Sequence, residues 1–163
     1  MVVGDNVFQG QGASVDSIER LLLGLSADLS EEFSVASARE VRRQLEVVRD
    51  RIPFPPPDTI EQSPLRNLFD YVELKSHDAV LGRTQWLRGA LAEIDRELLS
   101  ALAETQRGGL TVHDLQEIDS LLWDLRDRVD MFELMDDGRW PLQCLIAYVD
   151  ARMKRSLEAN GSS

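Results

Sequence analysis

A single cysteine, Cys144, stands in the 163 residues of this chain. Without a second thiol there is no internal disulfide and no multi-cysteine metal site, which fits a reducing compartment. Within a helical pattern Cys144 reads as a packed thiol rather than a reactive one. Long apolar runs are missing too, since none approaches the roughly 20 residues needed to span a bilayer. The amino end, MVVGDNVFQGQGAS, lacks the basic and apolar regions of a signal peptide. No membrane partner is therefore expected, and the cytoplasm is the expected location. Basic excess is also absent: 29 acids against 18 bases leave a net charge of -11. A field of that sign repels phosphate backbones and anionic lipid, so nucleic acid is not an expected partner.

Catalytic signatures are equally sparse. No serine or cysteine occupies a glycine-flanked elbow, and no glycine loop is long enough to cradle a phosphate; Gly10-Gln11-Gly12 is too short. No cofactor is implied. Past residue 13 there is no alternating strand pattern and no repeat of fixed period.

What the chain does have is a run of apolar stripes at intervals of three and four. The content is 43% apolar and only 6% aromatic, with leucine dominant, a composition that favours helix over sheet. The length suits one compact domain able to bury roughly 70% of its unfolded surface. The expected fold is all-α: an antiparallel bundle of about five helices with a proline-rich connector, built as a flexible lead-in over 1–13, one bundle domain over 14–158 and a frayed tail over 159–163. In the lead-in, Val2-Val3 and Val7-Phe8 could alternatively form a docking strand.

A first helix is expected to start at the Ser14 cap and to carry Val15, Ile18, Leu22 and Leu25, widened by Leu21 and Leu29, with a break near Ser30. Ala38, Val41, Leu45, Val48 and Ile52 form a second stripe, ended by Pro53, Pro55, Pro56 and Pro57. That proline run reads as a stiff spacer, or else as a ligand for an aromatic-lined groove. Ser63-Pro64 starts a third helix with Leu65, Leu68, Phe69 and Val72 on one face. The register fails across Lys75-Ser76-His77-Asp78 and resumes with Leu87, Leu91, Ile94, Leu98 and Ala101. One bent helix, or two helices meeting near Ser76, would fit. After Gly108-Gly109 comes the longest stripe, Leu115, Ile118, Leu122, Leu125, Val129 and Phe132, about six turns of helix. A turn at Asp136-Asp137-Gly138 leads to a last helix from Pro141, with Leu142, Leu145, Ile146, Val149 and Met153 facing inward.

Three charged or polar groupings invite functional readings. Arg39, Arg42, Arg43, Arg49 and Arg51 make the one basic stretch, an anion site or a solvated face paired with neighbouring acids. Each of the two histidines precedes an aspartate, and a His, a His-Asp pair and a later Asp resemble the ligand set of the HD phosphohydrolases, with His77, His113, Asp114 and Asp130 or Asp150 as the implied ligands. Arg107 followed by His113 resembles the Arg-to-His spacing of HEPN-type ribonucleases. Either resemblance implies an enzyme centred on His113 and Asp114, the first of them metal-dependent. Local context favours a simpler use: Thr111-Val112-His113-Asp114 has the spacing of a capping box, and Gly108-Gly109 separates Arg107 from His113. His113 and Glu117 share a helical face, but no third ligand accompanies them.

One feature is left after these subtractions. Successive helical residues turn by about 100°, which sets Trp123, Met131 and Leu134 largely opposite the Leu115 to Phe132 stripe. A helix that is apolar on two sides is either central in its bundle, touched twice by its own chain, or has a partner; Trp140 could complete either arrangement. The expected function is that of a non-enzymatic adaptor, inhibitor or assembly subunit, whose acidic surface meets a protein partner with a basic face. Self-association into a homo-oligomer is a further form of the same reading. The alternative is the phosphohydrolase or ribonuclease using His113 and Asp114.

Overall fold

The computed structural model describes residues 11–52, 64–83, 85–131 and 139–161. The lead-in before Gln11, the Pro53 to Pro57 connector, the Ser63 cap, Phe132, Leu134 and the Asp136 to Gly138 turn lie outside the described residues. Every described element is an α-helix: α1 (Gln11–Glu31), α2 (Val35–Arg49), α3 (Pro64–Val80), α4 (Ala90–Gln106), α5 (Val112–Asp130) and α6 (Arg139–Gly161). The all-α expectation holds, with six helices described rather than about five. None of them is long and apolar enough to cross a membrane. The chain divides into two compact units, Met1–Arg83 and Thr84–Ser163, each with three of these helices in mutual contact.

The first unit buries the expected stripes at every described position but Leu21, which is half-buried; the Val15 side chain lies outside the described residues. Ile18, Leu22, Leu25 and Leu29 of α1 meet Ala38, Val41, Leu45 and Val48 of α2 and Leu65, Leu68, Phe69 and Val72 of α3. Helix α1 begins at Gln11, three residues ahead of the expected Ser14. It stops at Glu31 because Ser34 takes the cap of α2, where the Ser37 amide donates to its hydroxyl at 3.1 Å. Pro64 is the first helical residue of α3, where its missing donor costs no hydrogen bond.

The extra helix comes from the region where the stripe lost its register. No break occurs near Ser76, and α3 runs on to Val80. Lys75, Ser76 and Asp78 interrupt the apolar pattern but are buried, and the helix accommodates them locally. Lys75 Nζ donates to Tyr71 Oη at 3.1 Å from one turn away, and Ser76 Oγ donates to the Glu73 carbonyl at 2.9 Å. Asp78 accepts from Arg83 Nη1 at 3.0 Å. The true stop lies at Gly82, six residues on from Ser76. Gly82 adopts φ +77°, its amide donates to the Ala79 carbonyl at 3.0 Å, and the Arg83 amide reaches back to the Asp78 carbonyl at 2.9 Å. These two bonds around a left-handed residue are a Schellman C-terminus, which satisfies carbonyls the helix leaves open.

In the second unit, Leu91, Ile94, Leu98 and Ala101 of α4 are buried as expected. Leu87, assigned to that stripe, is exposed in the turn before α4, and its neighbour Trp86 is buried instead. Helix α5 packs on α4 and on α6 through Leu115, Ile118, Leu122, Leu125 and Val129. Helix α6 starts at Arg139, two residues before Pro141, and buries Leu142, Leu145, Ile146, Val149 and Met153 together with Cys144 and Tyr148. It continues to Gly161, so residues 159–161 are helical rather than part of a frayed tail. Glu97 in the first half of α4 pairs with Arg128 near the end of α5, and Thr105 near the end of α4 is reached by Arg152 from the second half of α6. These pairs describe an up-down-up arrangement.

Two substitutions check this account. Gly82→Ala meets no neighbour within 4 Å, so its cost is the left-handed backbone alone, about 1 kcal/mol of stability in urea unfolding. Leu122→Ala, at a fully buried position, should cost about 3 kcal/mol.

Candidate functional site

Helix α5 is placed by its first turn. The Asp114 amide donates to Thr111 Oγ1 at 3.1 Å and the Thr111 amide donates to Asp114 Oδ2 at 3.0 Å, the reciprocal pair expected from the sequence. The bond from the Thr111 backbone, reinforced by the one from its side chain, holds the Asp114 carboxyl below the usual aspartate range. Its neighbour His113 is exposed and lies 3.0 Å from Glu117 one turn on. Arg107 pairs with Glu104 at 2.9 Å at the end of α4. The positions of the enzyme-like motifs thus serve helix ends and surface pairs. Among the described residues no three of His, Cys, Asp and Glu converge as a metal site. His77 is exposed on α3 while Asp78 beside it is buried against Arg83.

The basic stretch on α2 resolves in a similar way. Arg43 pairs with Glu40 on its own helix, Arg49 pairs with Glu73 on α3, and Arg42 Nη1 donates to the Glu73 carbonyl at 3.3 Å. These arginines fasten α2 to itself and to α3.

The face of α5 away from the unit's core is different. Trp123 is 60% exposed and Met131 is 84% exposed, so neither is covered from a second side by the chain's own core, and the central-helix arrangement does not describe them. Leu134, grouped with them by sequence, lies outside the described residues. Trp140 is 50% exposed in the first turn of α6. Arg139 beside it lies 3.6 Å from Asp130 at the end of α5, which sets Trp140 at the same end of the hairpin as Met131.

The Trp123 ring is held in place. The Arg126 guanidinium stands 4.8 Å from the ring centroid and 3.6 Å from Asp150 on α6. Stacking on a cation that is anchored from behind restricts the ring while leaving it open to water. Sequence reasoning missed this stack, although Trp123 and Arg126 are three apart and share a helical face.

Charge on this flank is uneven. Arg128 is occupied by Glu97 at 2.6 Å and Asp124 at 3.5 Å, and its hydrogen bond to Glu97 is the main reason its pKa is raised. Lys154 is likewise raised by its bond to Asp150. The bases are thereby committed to α4, to α6 or to the helix itself. Asp127 is exposed between Trp123 and Met131, with no ion pair among the described residues.

Comparison of the chain with protein-family models, with curated proteins and with solved structures finds no match. What the surface does must be read from its residues.

The cap makes two quantities measurable. Thr111→Ala should lower stability by about 1 kcal/mol. For Asp114 the folded-state pKa is depressed, so its contribution is present above the ordinary aspartate range and is lost as pH falls through the depressed value. Asp114→Ala should therefore melt below wild type at neutral pH, with the gap closing in acid.

Proposed function

We propose that this protein is a non-enzymatic interaction protein, an adaptor, inhibitor or assembly subunit, whose working surface is the outer face of α5 around Trp123 and Met131. The observation that carries this reading is the exposure of those two side chains on a helix whose opposite stripe is fully used in packing. An exposed tryptophan held by a stacked arginine is the kind of rigid aromatic anchor from which interfaces draw most of their energy. The surrounding carboxylates of Asp124, Asp127 and Asp130 favour a partner of positive charge and disfavour nucleic acid and anionic membrane.

The test is capture from an extract of the native host with wild type and with a Trp123→Ser, Met131→Ser double variant. Both positions are exposed, so the variant should keep its circular dichroism and its unfolding midpoint. Loss of one central anchor costs about 2 kcal/mol of binding, roughly thirtyfold in Kd. The double variant should therefore lose the wild-type partner. A double variant that stays folded and recovers the same proteins as wild type would overturn the reading.

A further inference from the structure

The face just described also constrains the form of its occupant, an inference that rests on the proposed function. Trp123 and Asp127 of α5 and Met131, the residue that caps its end with helical backbone angles, stand at successive intervals of four, so they form one row across about 12 Å of helix surface. The two ends of the row are apolar and exposed, and its middle is a carboxylate. Asp124 and Asp130 border the row, the first shared with Arg128 and the second with Arg139. Asp127 has no such ion pair among the described residues.

Whatever covers Trp123 and Met131 together must also cover Asp127. Removing a carboxylate from water without a counter-charge is strongly unfavourable, and neutral apolar cover offers none. A second copy using the same face would bring the same aspartates and no uncommitted base to meet Asp127, because Arg126, Arg128 and Arg139 are paired with Asp150, Glu97 and Asp130. We infer that the occupant is a basic amphipathic helix of another protein: two apolar residues about two turns apart, which seat on Trp123 and Met131, with a Lys or Arg between them aimed at Asp127. The rhythm of the partner is then apolar, basic, apolar at intervals of three or four, the complement of the row on α5.

The probe is a fluorescein-labelled synthetic helix of about 20 residues with leucines two turns apart and a lysine between them. Its control has the same composition, with that lysine exchanged for a glutamine from the far face. Anisotropy is read on the full chain. Wild type should bind the probe about tenfold or more tightly than the control, Asp127→Asn should remove that difference, and Asp127→Lys should restore binding to a probe with glutamate at the central position. Equal binding of probe and control, or an Asp127→Asn variant as discriminating as wild type, would overturn the inference. So would a concentration-dependent dimer in light scattering that Trp123→Ser, Met131→Ser abolishes, since the occupant would then be a second copy. If the probe fails while that double variant still loses its host partner, the proposed function stands and only the helical, lysine-centred form of the partner falls.

Discussion

A helix in a three-helix unit can turn only one side to the core, and much of this protein follows from that limit. With two neighbours apiece, each helix buries the stripe its three-four rhythm defines and leaves an outer face to water. On α1, α3 and α4 no described large apolar side chain is exposed, whereas α2 exposes Val47 and α6 exposes Trp140. On α5 it carries Trp123 and Met131, large apolar groups set among aspartates. Their exposure reflects how few helices each unit has to cover its neighbours with.

The stripes were readable because burial and period are the same fact for an amphipathic helix. Ile18 through Leu29, Ala38 through Val48 and Leu115 through Val129 are buried where their spacing places them. The reading failed where polar residues are buried. Lys75, Ser76 and Asp78 look like the loss of a helix, yet Tyr71, the Glu73 carbonyl and Arg83 satisfy them within or just beyond the same helix. Periodicity cannot distinguish a polar residue that ends a helix from one that finds its bond inside it. It also cannot choose between Trp86 and Leu87 in a turn, because a turn has no fixed repeat.

The candidate surface was legible in part. A turn of 100° per residue places Trp123 and Met131 on one flank, but it does not say whether a neighbouring helix covers them; that required coordinates. The Thr111 and Asp114 box was legible in full, because a cap is local chemistry at fixed spacing. It also explains why a His-Asp pair stands at the head of α5 without converging ligands: Asp114 is bonded to Thr111, and His113 lies against Glu117. The stack of Arg126 on Trp123 depends partly on Asp150 of α6, and no local pattern contains that third member.

The central claim is that the outer face of α5 is open in the free protein and covered by a partner. Peroxide oxidation of individual methionines, followed by mass spectrometry, reads this directly, because Met131 is 84% exposed while Met153 is 2% exposed and serves as an internal standard. Met131 should oxidise far faster than Met153 in the isolated chain and become protected when the captured host partner is added. Met131 that is as slow as Met153 in the free protein, or that stays as reactive in the complex, would contradict the account.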